Sequence, residues 1–211
     1  MNKTTTALLL AAITLACLGG IFLISFATEA CRAAPQTDSY RDRQMQPERV
    51  MDAVGVHPGM LIGEVGAGNG YFTFWLSKRV GENGLVYAND INERALRQLK
   101  DQCIDDGIDN ILTVVGEEAD PLFPARELDM AVMVYALHHI DEPVELLVNL
   151  KKYLKPEATV VVIEQDPEKT GSSHFLRKER TVELLEQAGY EFLRHETFLK
   201  QDYVSVFRIK R

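Results

Sequence analysis

The tightest constraint on this chain is a five-residue turn, Gly66-Ala67-Gly68-Asn69-Gly70, between the apolar run Met60 to Val65 and a stretch with helical spacing. A second apolar run, Leu85 to Asn89, closes on Asp90, twenty residues beyond Gly70. A strand, a glycine turn, a helix and a strand ending in a carboxylate form the frame in which parallel α/β sheets hold nucleoside-bearing cofactors. The glycine spacing narrows the class of cofactor. A dinucleotide fingerprint G-x-G-x-x-G needs glycine at position 71, where this chain has Tyr71. The pattern from Glu64 is instead E-x-G-x-G-x-G.

The rest of the chain keeps the same alternation. Pro47 can open a short helix over Glu48 to Val54, and Gly55 and Pro58-Gly59 punctuate the approach to the first strand, with His57 in a solvated turn. Phe72, Trp75, Leu76 and Val80 recur at helical spacing up to Gly81, and read as core packing. Leu96, Leu99, Cys103 and Ile104 mark a second helix. Strands are expected at Ile111 to Val115, Met130 to Val134 and Thr159 to Ile163, with a helix over Glu142 to Leu154. The continuous apolar run at 159–163 suits a parallel strand covered on both faces. A helix from Arg177 to Ala188 then leads into two runs, Tyr190 to Glu196 and Tyr203 to Ile209, close enough to pair antiparallel.

Three further segments fall in the same order: Glu-Leu-Asp129-Met-Ala-Val-Met-Val-Tyr135, Leu137-His138-His139-Ile140, and Leu150-Lys-Lys-Tyr-Leu-Lys155-Pro156. With the glycine turn, they make residues 45–211 resemble the class I S-adenosylmethionine-dependent methyltransferases. The similar branch contains the small-molecule enzymes of the ubiquinone-biosynthesis and arsenite-methylating type. The resemblance implies a Rossmann-like, doubly wound, mostly parallel seven-stranded sheet with an antiparallel C-terminal hairpin, and S-adenosyl-L-methionine as cofactor. In such a protein the methionyl portion lies against Gly66, Gly68, Asn69 and Gly70, and Glu64 helps hold its amino end. Asp90 would accept from the ribose hydroxyls through its two oxygens, and Ile91 would cover an adenine face. Glu117, with Glu118 as its rival, stands where the family contacts the adenine amine. Tyr135 would line the methionyl and acceptor side.

A sulfonium methyl is already activated, so the protein mainly aligns the acceptor. A proton acceptor is needed only where the nucleophile carries a proton. His138, His139, His174, Glu164 and Asp166 are the candidates, since they sit at strand ends or in the loops that follow. An orienting role for His138 and His139 stands equally open. The rival readings are an NAD-linked oxidoreductase, opposed by Tyr71, and a membrane-tethered protein that binds the cofactor without turnover.

Charge and cysteines restrict the partners. The net charge is −8, and residues 1–34 carry +1 (Lys3 and Arg32 against Glu29), leaving −9 for the remainder. So acidic a domain is a poor general nucleic-acid binder, which points to a small-molecule or lipid-like acceptor. Of Cys17, Cys31 and Cys103, only Cys103 falls in the domain, so it has no internal disulfide partner. No Cys/His spacing matches a zinc motif, and no metal is expected. Several metalloid-binding cysteines would be needed for arsenite, so that acceptor is disfavoured.

Ala7 to Ala27 carry no charge, and as a helix this run would span about 31 Å, the thickness of a bilayer core. An N-terminal hydrophobic helix serving as an uncleaved anchor is preferred over a cleavable signal, whose apolar stretch is usually about 7–15 residues. Lys3 before the run, against Arg32, Arg41 and Arg43 after it, favours a cytoplasmic catalytic domain; export after cleavage is the alternative. The expected organisation is a hydrophobic anchor or signal over 1–27, a linker over 28–45 and the methyltransferase domain over 46–211.

Overall fold

The computed structural model describes residues 39–211, so the apolar segment, Cys17, Cys31 and most of the expected linker lie outside the described residues. Seven strands form one sheet in the order β3-β2-β1-β4-β5-β7-β6. They are β1 Leu61–Val65, β2 Leu85–Asp90, β3 Ile111–Val115, β4 Leu128–Val134, β5 Leu154–Gln165, β6 Tyr190–Glu196 and β7 Asp202–Ile209. The first five pair in parallel, and β7 joins β5 and β6 antiparallel. The expected doubly wound sheet and its terminal hairpin are both present. The order of strands reverses between β1 and β4, which stay parallel, and crevices for ligands open at the carboxyl ends of strands at such a switch point.

The helices are α1 Ser39–Met45, α2 Pro47–Val54, α3 Tyr71–Val80, α4 Glu93–Asp105, α5 Pro143–Leu150, α6 Pro167–Thr170 and α7 Lys178–Gln187. Alternation along the strands divides the core between the two sheet faces. Met130, Val132, Val134, Val161 and Ile163 pack with Phe72, Leu76, Leu96 and Leu99 on one face. Ala131, Met133, Val160 and Val162 pack with Leu146, Leu147, Leu184 and Leu185 on the other. Phe72 is buried and Trp75 packs against the same cluster, as their spacing implies. Cys103 is buried too, and burial pushes its thiol up to about 11, which leaves it inert.

Four sequence expectations differ from the structure. The end of the expected linker, Ser39–Met45, is a helix whose Met45 enters the core. Ile104 is 68% exposed although it shares the helical spacing of α4. The helix expected over 142–154 ends at Leu150 and passes through a 3-10 turn, Lys151–Tyr153, into β5. That strand begins at Leu154, five residues before the expected start. Its register against β4 jumps from Leu128↔Leu154 to Met130↔Thr159, so Lys155-Pro156 occupies a bulge. A proline lacking an N–H is tolerated there, since no ladder bond is required of it.

Asp129, in one of the matched segments, lies at the amino end of β4, away from the crevice. Its carboxylate accepts from the Leu61 N–H at 2.8 Å and from Lys155 Nζ at 2.6 Å. It therefore ties β1, β4 and β5 together, and these bonds hold its carboxyl below the usual range despite partial burial.

Candidate active site

The glycine turn leaves β1 with backbone that side chains would block. Gly66 has φ 75°, and a Cβ there would come within 2.5 Å of Ala136 Cβ. Gly70, at φ 91°, caps α3, and a Cβ there would strike Leu99 Cδ1 at 2.4 Å. Only glycine satisfies both the left-handed backbone and the missing volume. Gly66 N–H and Ala67 N–H both donate to the Asn89 carbonyl, at 2.9 and 2.8 Å, which docks the turn on the end of β2.

Asp90 follows Asn89 and is fixed from two sides. Gly68 N–H donates to its Oδ2 and Asn92 N–H to its Oδ1, each at 2.8 Å. Each oxygen keeps a lone pair directed outward, so the carboxylate is preset to receive two neighbouring hydroxyls. The sequence marks Asp90 as a strand-end acid but not its grip on the turn.

A cleft of about 260 Å³ opens at these strand ends, lined by Gly66, Asp90, Ile91, Glu117, Glu118, Tyr135 and His139 among others. The expected Gly66, Asp90, Ile91, Glu117 and Tyr135 thus come together. Glu118 lies beside Glu117 in the wall, and both are exposed, so the structure does not separate the rivals. Ile91 is 60% exposed, an apolar side chain left open next to the cleft. Glu64, Gly68, Asn69 and Gly70 do not line this cleft; Gly68 acts through Asp90, and Asn69 points to solvent.

Glu64 is buried beneath the turn, 2% exposed, with Oε2 accepting from Thr73 Oγ1 at 2.5 Å. Burial pushes its carboxyl up to about 8, a rise moderated by the Thr73 bond and the Arg41 charge. Arg41 belongs to α1, where its guanidinium lies 3.6 Å from the Tyr71 ring centroid and Asp42 accepts from Tyr71 Oη at 2.9 Å. So α1 covers the side of the glycine turn that the cleft leaves out.

Tyr135 follows the last residue of β4 at φ 54° and its hydroxyl donates to Asp202 Oδ1 at 2.9 Å. Left-handed backbone is costly for a tyrosine, and such outliers gather at functional positions. Burial and the Asp202 carboxylate both push its phenol up, and burial likewise raises Asp202. Beyond Tyr135 the 3-10 turn Leu137–His139 turns two histidines in different directions. His138 Nδ1 meets Glu164 Oε2 at 2.7 Å in the interior, while His139 reaches the cleft. Burial drives the Glu164 carboxyl up and the His138 imidazole down, which favours the uncharged form of each. His174, from the loop after α6, stacks on both histidines at 4.9 and 5.3 Å between centroids. Asp166 instead caps α6, accepting from Glu168 N–H, and stays outside the cleft wall.

The wall carries four carboxylates, Asp90, Glu117, Glu118 and Asp141, and among the described residues no Lys or Arg. A pyrophosphate would be repelled by such a lining. A phosphate-free nucleoside bearing positive charge fits it. Comparison with known proteins leads the same way. Residues 62–157 match the family model described as a methyltransferase domain. A solved S-adenosylmethionine-dependent methyltransferase from Aquifex aeolicus shares 28% identity over 82% of this chain and 94% of its own, with a TM-score of 0.77.

Over residues 62–157 this chain carries a methyltransferase domain, similar in sequence and fold to an S-adenosylmethionine-dependent enzyme.

The ubiquinone/menaquinone biosynthesis C-methyltransferase of Laribacter hongkongensis is 30% identical over 115 residues, 54% of this chain and 46% of that protein. The corresponding Shewanella pealeana protein is 27% identical over 127 residues, 60% of this chain and 51% of that one. The chain therefore spans about half the length of the curated relatives it matches.

Proposed function

We propose that this methyltransferase moves the methyl group of S-adenosylmethionine onto a small apolar or lipid-like acceptor by in-line displacement. The observation that carries the reading is the all-acidic cleft at the switch point, with Asp90 clamped by Gly68 and Asn92. When bound, the cofactor supplies a methyl carbon already activated by its positive sulfur. Asp90 accepts from the ribose hydroxyls, Ile91 packs on the adenine, and Glu117 accepts from the adenine amine. Gly66, Gly68, Asn69 and Gly70 give backbone access for the methionyl portion. Glu64, under α1, takes its ammonium as the buried carboxyl gives up its proton. At about 260 Å³ the cleft falls just below the range for whole ligands of this size, roughly 300–1,000 Å³. It suits the adenosine half, with the remainder lying under α1.

Tyr135, His139, Ile140 and the neighbouring Phe175 form the acceptor side, with aromatic and apolar surface around one polar ring. Bound there, the cofactor would offer its methyl carbon to an acceptor atom in line with the carbon–sulfur bond, whose electron pair would stay on sulfur. Orientation and exclusion of water supply most of the rate. An acceptor that carries a proton loses it at His139, the histidine that faces the cleft. The acidic surface argues against nucleic acid, and relatives named for quinone biosynthesis support an apolar acceptor. The uncharged run Ala7–Ala27 supports a membrane anchor for the domain. Among the described residues no helix is long and apolar enough to cross a membrane.

The test is calorimetric titration of the full chain with S-adenosylhomocysteine and with NADH, followed by methyl-labelled cofactor in fractionated cell extract. Binding of the first ligand alone, with label entering the organic-soluble fraction, is expected. NADH binding overturns the cofactor assignment, and label confined to protein or nucleic acid overturns the acceptor class. Alkaline carbonate extraction of cells carrying the full chain should leave it with the membranes; release into the supernatant refutes the anchor.

A further inference from the structure

Three histidines converge beside the cleft although one is far from the others in sequence. His138 and His139 come from the 3-10 turn after β4, and His174 from the loop between α6 and α7. One ring nitrogen of each lies within 4.8 Å of the other two, and the ring centroids of His138 and His139 are 4.0 Å apart. His138 is held through Nδ1 by the buried Glu164, which leaves Nε2 as its second nitrogen. A carboxylate on the far nitrogen of an imidazole is the arrangement that fixes ring orientation in metal-binding histidines. His139 and His174 are exposed, and Phe175 packs on His138 and His174 at 4.6 and 5.1 Å as an apolar wall.

We infer that His138, His139 and His174 form a site for a borderline divalent transition-metal ion of the zinc or cobalt class. Imidazole nitrogens select such ions over magnesium or calcium, which prefer all-oxygen shells. Bonds of about 2.0–2.1 Å to each nitrogen require the two exposed rings to close by roughly 1 Å, a side-chain rotation. Three protein ligands with a fourth position open is the arrangement of catalytic rather than structural zinc. His139 also lines the cleft, so the open position lies at the cleft. An oxygen anion there, such as a carboxylate, phenolate or enolate, is the ligand class that would complete the shell, and with the ion bound His139 is a ligand and no longer takes a proton. The inference stands on the histidine geometry and not on the methyl-transfer reading.

The experiment uses the full chain, purified without a polyhistidine tag, stripped with chelator and titrated with Co²⁺ under visible absorption. One Co²⁺ per chain with tetrahedral-type bands, displaced by Zn²⁺, is expected. His174→Ala, in an exposed loop, should weaken binding by at least ~10-fold, and Glu164→Gln by roughly 10- to 100-fold, the usual loss for an outer partner. His57→Ala, in an exposed turn away from the cluster, should leave it unchanged. No saturable binding at micromolar Co²⁺ overturns the proposal. Equal affinity in wild type, His139→Ala and His174→Ala overturns it as well, since the ion then sits elsewhere. S-adenosylhomocysteine titrated in parallel keeps failure of the cofactor reading distinct from failure of the metal site.

Discussion

Asp90 shows how one side chain can serve both structure and binding. It holds the glycine turn through Gly68 N–H and keeps a lone pair on each oxygen for a ligand. Asp90→Ala should therefore lower affinity for S-adenosylhomocysteine by about 2–3 kcal/mol, roughly 30- to 150-fold. Calorimetry checks this, and unchanged affinity would refute the ribose assignment. Glu64 yields a prediction with a sign. Its carboxyl is raised from an ordinary value of 4.5 to about 8 in the folded chain. Below pH 4.5 both folded and unfolded states hold the proton, and the stabilisation is complete. As pH rises towards 8 the unfolded chain releases its proton first, so stability falls across that window. Glu64→Gln can keep the Thr73 bond without titrating. Its urea midpoint should fall less than wild type between pH 5 and 8, while its cofactor affinity drops. Parallel pH profiles would sink the idea. Gly66 and Asp90 are legible in the sequence because their roles follow from local backbone and strand ends. The Glu164–His138 bond and the approach of His174 are not, since their partners meet only after the sheet forms.

At the scale of elements, the periodic segments are legible, as is the short helix that Pro47 opens, but α1 is not. Helix α4 repeats its apolar positions over thirteen residues, although Ile104 carries the period onto the solvent face. Helix α1 has seven residues and one deeply buried side chain, Met45, too few for a period to emerge. Its place is set by tertiary contacts: the Tyr71 hydroxyl on Asp42 and the Arg41 guanidinium over the Tyr71 ring. Tyr71→Phe removes the first and keeps the second. The cost should be about 1 kcal/mol or less in global stability. Tryptic cleavage at Arg41 and Arg43 should nevertheless accelerate, and affinity for S-adenosylhomocysteine should fall a few-fold as the cover over Glu64 loosens. An unchanged cleavage rate with full affinity would show that α1 is held by other contacts. The early start of β5 was hidden for a different reason. Pro156 argues against a strand, and only the bulge opposite Leu128 to Met130 makes room for it.

For the whole molecule, fold and chemistry must be kept apart. A [4+2]-cyclase shares this fold at TM-score 0.70 with 13% identity, over 83% of both chains, so the sheet does not dictate the reaction. Charge discriminates better than topology. S-adenosylmethionine carries one more positive charge than S-adenosylhomocysteine, at the sulfur, and is otherwise the same molecule plus one methyl. In a cleft walled by Asp90, Glu117, Glu118 and Asp141 that charge is attracted by groups open to solvent, where salt screens over about 8–10 Å. Raising salt from 50 to 500 mM should weaken S-adenosylmethionine binding more than S-adenosylhomocysteine binding. The ratio of the two affinities should fall roughly two- to five-fold, since each exposed charge contact contributes about 0.2–1 kcal/mol. Replacing Glu117 and Glu118 together by Gln should flatten that dependence. A ratio that does not move with salt would mean the sulfur sits beyond reach of these carboxylates, and the acidic wall would then serve the acceptor instead.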